Sequence, residues 1–187
     1  MGLKVKGIVL TDLVKQVRVA KDKNWEKYLT PEDMEVVKGE IMTSSWYPDD
    51  FFYRLSLAVF KVVGESSLDA CFAYGQLTAH NMAEIYRNVV VEGDPATTID
   101  RFVTRRKSFF STDYQDAEKN RVIKDDHKVI VYTIADKKIR NTEVADVIMY
   151  SLLGVMHELA SIVGGRNVHS NMVKSGDTYE TTVRWSG

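Results

Sequence analysis

Apolar residues recur at helical spacing through the first half of the chain. From residue 8 to residue 20 they fall on one stripe, as in an amphipathic helix: Val9, Leu10, Leu13, Val14 and Val17. Further helices are predicted to begin at Thr30-Pro31 and at Tyr47-Pro48, where proline and the acids that follow suit a first helical turn. Another helix begins at Ser66 or Ser67 and runs to about residue 87.

The second half of the chain mixes helical spacing with strict alternation. The predicted elements are, in order, a helix at 97–110, strands at 121–124 and 128–134, a helix from Asn141 to about 163, and strands at 167–173 and 178–185. In the last strand every second side chain is predicted to face the same way: Tyr179, Thr181, Val183 and Trp185.

These elements predict a single α+β domain over residues 1–187. A helical part (1–92) precedes a second part (95–187) that consists of a helix, a hairpin, the long helix and a hairpin. The hairpins favour a four-stranded antiparallel sheet, whose apolar face has to be covered by helices. We therefore expect two hairpins flanking a long helix, with the helical part packed on one side of the sheet.

Composition and charge exclude several classes of function. The 187 residues carry a formal net charge of −1, so no global field attracts nucleic acid or an anionic membrane. A single cysteine, Cys71, excludes an internal disulfide and a cysteine-based zinc site. The longest strongly apolar run, 147–156, is too short to span a bilayer. We expect a cytoplasmic protein with no nucleic-acid partner and no membrane insertion.

Residues that could carry catalysis or bind a metal are sparse. No nucleophile elbow, phosphate-binding loop or dinucleotide motif is present, so we predict no enzyme and no catalytic residues. The motif around His157 lacks the second histidine of a zinc protease. His80 has apolar neighbours in the sequence; it is either a hydrogen-bonded core residue or, in the alternative interpretation, a metal or haem ligand. We predict no metal site.

The stretch TTIDRFVTRRKSFF, residues 97–110, mixes cations with phenylalanines. Arg101 and Arg105 are four residues apart and therefore share one helical face, whereas Phe102 points elsewhere. A nucleic-acid surface would place aromatic side chains beside the cations, where they could stack on bases. We predict instead an amphipathic helix whose exposed Arg101 and Arg105 contact a protein partner or an anionic group.

The order of elements resembles that of the haem–nitric oxide/oxygen-binding (H-NOX) superfamily. The segment KGIVLTDLVKQV is similar to the opening helix of that family, and WYPDDFFYRLSLAVFKVVG with LDACFAYGQLTAHNMAEIY is similar to its next two long helices. The helix, hairpin, long helix and hairpin that follow complete the resemblance. The same architecture recurs in four-vinyl-reductase-type ligand-binding domains, in core subunits of the TRAPP transport particle, and in a bacterial family known largely from myxobacterial-type genomes.

The resemblance implies haem, but the residues that hold haem in that family are replaced here. The family's iron-ligating histidine would fall near Val103 or Thr104. Its Tyr-x-Ser-x-Arg clamp for the haem propionates is matched by Tyr132 alone, since Ile134 and Asp136 stand in the other two positions. A carboxylate in place of a cation would repel a propionate. We therefore expect a degenerate, haem-free member with no cofactor.

Two functions fit these observations. The first is a non-catalytic sensor or regulatory domain of bacterial signalling that binds a small hydrophobic ligand; its pocket is predicted among Phe72, Phe102, Tyr132 and Met149. The alternative for those four residues is that they only fill a core. The second function is a protein–protein interaction or homodimerisation module with no ligand.

Overall fold

The computed structural model describes residues 3–111 and 118–187. Its helices are α1 (Gly7–Val19), α2 (Pro31–Lys38), α3 (Asp49–Val62), α4 (Leu68–Ile85), α5 (Pro95–Arg106) and α6 (Glu143–Ile162). Its strands are β1 (Lys4–Lys6), β2 (Trp46–Pro48), β3 (Lys119–Asp125), β4 (Lys128–Ile134), β5 (Arg166–Ser175) and β6 (Thr178–Ser186). A short 3-10 helix (Lys107–Phe109) continues α5. The predicted α+β class is confirmed.

The four-stranded sheet has the order β3-β4-β6-β5, and all of its neighbouring strands are antiparallel. Each predicted hairpin forms, and the inner strands of the two hairpins pair at the centre of the sheet. The alternation predicted for the last strand is confirmed, because its buried side chains are every second residue: Tyr179, Thr181, Val183 and Trp185. That face lies against the helices.

The residues that cap the helix N-termini are largely those that the sequence indicates. Thr30 caps α2 in a reciprocal arrangement: its hydroxyl accepts from the Asp33 N–H, and the Asp33 carboxylate accepts from the Thr30 N–H. The prediction that Asn141 caps the long helix is wrong by one residue. Thr142 is the N-cap of α6, and Asn141 takes a left-handed conformation with φ of 61° in the preceding turn, a role that asparagine tolerates well.

A small two-stranded sheet in the predicted helical part (1–92) was not predicted. β1 and β2 pair in antiparallel register, with Val5 opposite Tyr47, and Val5 is fully buried. Strands of three residues are too short to show a period of two, so alternation could not reveal them. The pair ties the start of α1 to the start of α3.

Helix α6 runs through the core, where it lies between α4 and the sheet. Among the described residues it is the one helix whose length and mean hydropathy, 20 residues at 1.3, would suit a membrane span. A core helix of a folded domain passes the same test, and 56% of that apolar window is buried here. Its apolar composition is explained by contacts on two sides, with α4 and with the strands.

Two glycines set the distance between α4 and α6. A β-carbon at Gly75 would lie 2.0 Å from the carbonyl oxygen of Ser151, and one at Gly154 would lie 2.0 Å from the carbonyl oxygen of Phe72. Real β-carbons do not approach backbone oxygens so closely, so the two helix backbones touch at this crossing. Only glycine at both positions permits the contact.

We predict that Gly75→Ala and Gly154→Ala each lower the free energy of unfolding by about 3 kcal/mol, because the added methyl groups force the helices apart. Urea denaturation followed by circular dichroism measures this change. Gly39→Ala is the matched control: at Gly39 a β-carbon would have only ordinary contacts, at 3.4 Å and beyond. Equal stability of Gly75→Ala and Gly39→Ala would contradict the close crossing.

Candidate functional site

A cavity of about 600 Å³ lies between α1, α3, α4, α5 and α6. It exists because α4 packs closely on α6 along one side, while its opposite side faces α1 and α3 across open space. Helix α4 contributes to the wall along almost its whole length, from Ala70 to Tyr86 just past its end. The cavity therefore follows the axis of α4.

Most of the cavity wall is aliphatic or aromatic. The apolar side chains that line it come from all five helices and from the 3-10 helix: Ile8, Leu13, Phe52, Val59, Phe60, Leu77, Met82, Phe102, Phe109, Ile148, Leu152 and Val155. Many of them belong to the buried core. Apolar walls with a few polar groups are typical of sites for small organic molecules.

The cavity is partly open to solvent, and exposed apolar residues line it on α4 and, at Val63, just after α3. Leu77 and Ile85 line it and are 57% and 59% exposed, so its rim is apolar. The Asn81 amide of α4 donates to the Asp12 carboxylate of α1 at 3.1 Å, and both residues line the cavity. The exposed Lys15 ammonium also binds that carboxylate, at 3.0 Å. The charge of Asp12 is thus already balanced at the rim.

A buried ion pair lies at the α5 end of the cavity. Arg106 lines the cavity and is 8% exposed, and both of its terminal nitrogens bond to the Glu118 carboxylate, which is itself 4% exposed. The Asn120 amide donates to the same carboxylate at 2.9 Å. The Arg106 guanidinium also lies over the Phe110 ring, 5.3 Å from its centre. A bidentate buried pair of this kind presents no net charge to the cavity.

Two titratable side chains on the wall, Cys71 and Tyr74, are held in their neutral forms. Burial raises the pKa of the Cys71 thiol to about 11, so the thiolate is scarce at neutral pH. Burial, and to a lesser degree the Asp12 carboxylate, raises the pKa of the Tyr74 phenol. No histidine is among the described residues that line the cavity.

The structure does not bring the four predicted pocket residues together. Phe102 lines the cavity, and with Met149 it also lines a much smaller void against the sheet. Phe72 turns away and packs edge-on against the His157 ring, with 5.2 Å between ring centres. Tyr132 lies on the outer face of β4, because the alternation that buries Val131 and Thr133 points Tyr132 to the other side.

The predicted surface residues Arg101 and Arg105 are exposed, as helical spacing indicated. Arg101 donates to the carbonyl of Asn88 at 3.1 Å, and the Arg105 guanidinium lies 5.3 Å from the centre of the Tyr86 ring. His80, the alternative metal ligand, is also at the surface, where its ring nitrogen lies 3.1 Å from the Glu158 carboxylate. It does not reach the cavity.

Sequence reasoning missed the polar residues of the site. Arg106 follows the exposed Arg105 directly, but the 100° turn per residue places its side chain on the buried side of α5, where it bonds to Glu118. Asp12 was not singled out, since nothing in a lone acid on α1 reveals a partner on α4. One feature of the sequence could have indicated that Arg106 is buried: this cation lies next to the apolar stripe of α5.

We predict that Cys71 reacts slowly with Ellman's reagent and that its rate rises about tenfold per pH unit from pH 7 to pH 9. With a pKa of about 11, about one thiol in a thousand is ionised at pH 8. Absorbance of the released thiolate measures the rate. Protein unfolded in urea is the control, and its rate should level off near pH 8.5. The same plateau in the folded protein would contradict the buried thiol.

No protein-family model matches the sequence, and no curated protein matches it either. Solved structures of similar fold include the Fe(II) unliganded H-NOX protein from K. algicida, at 12% identity and a TM-score of 0.60, with 97% of each chain covered. The H-NOX protein from S. oneidensis in its Fe(II)NO state is 11% identical with a TM-score of 0.61, over 97% of this chain and 99% of that one.

A mutant of the T. tengcongensis H-NOX protein gives similar values: 10% identity and a TM-score of 0.59, over 97% of this chain and 98% of that one. Similarity at this level of identity concerns the fold and not the activity. The chain therefore has an H-NOX-like fold over nearly its whole length.

Proposed function

We propose that the protein is a haem-free, non-catalytic regulatory domain that binds a small apolar molecule in the cavity along α4. The observation that carries this proposal is the cavity itself, about 600 Å³ with apolar walls. Sites for small molecules have volumes of about 300–1,000 Å³ and a few polar groups that orient the ligand. Bacterial signalling in the cytoplasm is the setting that we propose for it.

The donor set of the cavity does not fit haem. Iron in a haem protein needs an axial histidine, thiolate, methionine or tyrosinate. Burial raises the pKa of the Cys71 thiol and of the Tyr74 phenol, so either group would have to release a proton to bind iron. The described wall residues include no histidine. Met82 lines the cavity, but a lone thioether is a weak ligand. The buried guanidinium that could bind a propionate, Arg106, is paired with Glu118.

The charge balance of the wall favours an uncharged ligand body. Four charged residues line the cavity: Asp12, Lys15, Glu84 and Arg106. Asp12 pairs with Lys15 and the buried Arg106 pairs with Glu118, while Glu84 is exposed to solvent. An ionic ligand group would have to break one of these pairs or enter apolar surroundings without a partner, and either step costs free energy. A neutral molecule avoids both costs.

A ligand in this position would touch elements on both sides of the domain. Helices α1 and α3 form one wall, whereas α5 and α6 connect the cavity to the sheet. Filling the cavity therefore affects the spacing between the helical part and the sheet. A regulatory domain needs such a coupling between its ligand and its outer surface.

The second candidate is a protein-interaction or homodimerisation module. The exposure of Arg101 and Arg105 on one face of α5 favours it. Each side chain is held by a contact within its own chain, to the Asn88 carbonyl and to the Tyr86 ring, so the face is ordered before any partner arrives. This candidate needs no ligand in the cavity.

We predict that purified protein shows no Soret absorbance and that small neutral hydrophobic compounds raise its melting temperature. A ligand at about 100 times its dissociation constant stabilises the folded state by about 2.7 kcal/mol. Val59→Phe places a larger side chain in the cavity and should abolish the rise in melting temperature. The matched control Val173→Phe, at an exposed position of β5, should show the same rise as the wild type. Stoichiometric haem, or no response to any compound, would contradict the proposal.

A further inference from the structure

The four-stranded sheet has two edges, β3 and β5, and the strand register shows which backbone groups point away from each edge. The Trp185 N–H donates to the His127 carbonyl at 3.1 Å, in line with the register of β4 and β6. Backbone N–H and C=O groups point alternately to the two sides of a strand. The odd-numbered residues of β6 therefore bond to β4, and the even-numbered ones bond to β5.

The same alternation assigns the backbone groups of β5. Thr182 of β6 lies opposite Asn171, so Asn171 and the other odd-numbered residues of the regular segment bond to β6. The N–H and C=O groups of Ser170, Met172 and Lys174 point away from the sheet. Within residues 3–111 and 118–187, no hydrogen bond to these backbone groups is present. Such a row of backbone groups can pair with a further strand.

The two edge strands differ in the side chains that protect them. Charged side chains on an edge strand oppose pairing with another strand, and four of the seven residues of β3 are charged: Lys119, Arg121, Lys124 and Asp125. Strand β5 has ten residues, and from Asn167 to Val173 it contains no proline, no glycine and no lysine, arginine, aspartate or glutamate. Its register is irregular only near its start, between Arg166 and His169. Edge β3 is thus protected against pairing, whereas edge β5 is not.

The side chains of β5 leave its outer edge accessible. His169, Asn171 and Val173 are exposed on the face of the sheet that is turned away from the helices. Ser170 and Lys174 are directed toward α6: the Ser170 hydroxyl lies 3.0 Å from a ring nitrogen of His157, and the Lys174 ammonium bonds to Asp146 at 2.9 Å. The lysine charge at the end of this segment therefore has a partner within its own chain.

We infer that a second copy of this chain pairs with β5 through an antiparallel, two-fold symmetric contact whose axis passes beside Asn171. An antiparallel edge is its own complement, because a two-fold rotation places each outward N–H opposite an outward C=O of the other copy. The inference does not depend on a ligand in the cavity, since no residue of β5 is among those that line it.

Charge determines where the two-fold axis lies. An axis at Ser170 would place Arg166 opposite Lys174 of the second copy, and like charges directly opposite each other destabilise a strand pair. An axis at Asn171 instead places Lys174 opposite Val168 of the second copy. This register pairs all of the outward backbone groups named above. Moving the axis further toward the end of β5 shortens the paired segment.

The first experiment measures self-association by sedimentation velocity over about a hundredfold range of protein concentration. We expect a reversible dimer. Asn171→Lys places two ammonium groups beside the axis, where opposed Cα atoms lie about 4.5 Å apart, and should weaken the dimer about tenfold or more. The matched control Ile123→Lys, at an exposed position of β3, should dimerise like the wild type.

Two results of that experiment would overturn the inference. Protein that stays monomeric at every concentration would exclude a second copy as the partner of β5. A dimer that Asn171→Lys leaves unchanged would place the contact on another surface. The melting temperature of each variant, followed by circular dichroism, shows that the fold is intact.

The register is tested by introducing a pair of opposite charges. With the axis at Asn171, residue 169 lies opposite residue 173 of the second copy, whereas within one chain these residues are about 13 Å apart. The double variant His169→Glu/Val173→Lys should therefore dimerise about threefold or more tightly than either single variant. A double variant no tighter than the weaker single variant would overturn this register.

Amide hydrogen exchange, resolved by NMR, tests whether the contact is a strand pair. The N–H groups of Ser170, Met172 and Lys174 should exchange rapidly in dilute protein and slowly in concentrated protein, because pairing gives each of them an acceptor. The N–H of Val122, which points outward from β3 by the same alternation, is the control and should exchange rapidly at both concentrations. Rapid exchange of the β5 groups in the dimer would overturn the inference.

Discussion

The contact between the backbones of α4 and α6 determines the arrangement of the rest of the helical part. Gly75 and Gly154 let each helix meet the other's carbonyl groups directly, which fixes α4 against the core helix along one face. The opposite face of α4 then has to be covered by α1 and α3, and these helices approach it incompletely. The cavity is the space that remains. The candidate ligand site is therefore a consequence of the close contact between α4 and α6 at the two glycines.

A cavity of this kind costs stability, because its walls lose contacts that a filled core would make. The domain has stabilising contacts elsewhere: α2 has a reciprocal cap, and polar groups at the cavity bond between elements, Asp12 with Asn81 and Arg106 with Glu118. The buried charge on the described wall, that of Arg106, thus has a partner of opposite sign. The fold resembles that of solved H-NOX proteins, whereas we propose a neutral apolar molecule for the cavity of this chain.

The sequence predicts the fold better than it predicts the site. Helical stripes, first-turn prolines and the alternation in β6 are local patterns, and each marks its element without help from distant residues. The pocket depends on which faces meet. Tyr132 lies outside the pocket because side chains alternate along β4 and its own points to the outer face. Phe72 lies outside it because its ring packs against His157. Arg106 lines it because 100° of helical rotation separates its side chain from that of Arg105. The spacing of apolar and polar residues along the sequence predicts none of these three placements.

The most direct test of this account is a crystal structure of the purified protein under xenon pressure, since xenon enters dry apolar cavities. The account predicts xenon in the cavity between α1, α3, α4, α5 and α6, no porphyrin density, and an unchanged contact between Gly75 and Ser151. A collapsed cavity in which side chains from α1 and α3 pack directly on α4, or a porphyrin bound to a side chain of this chain, would contradict it.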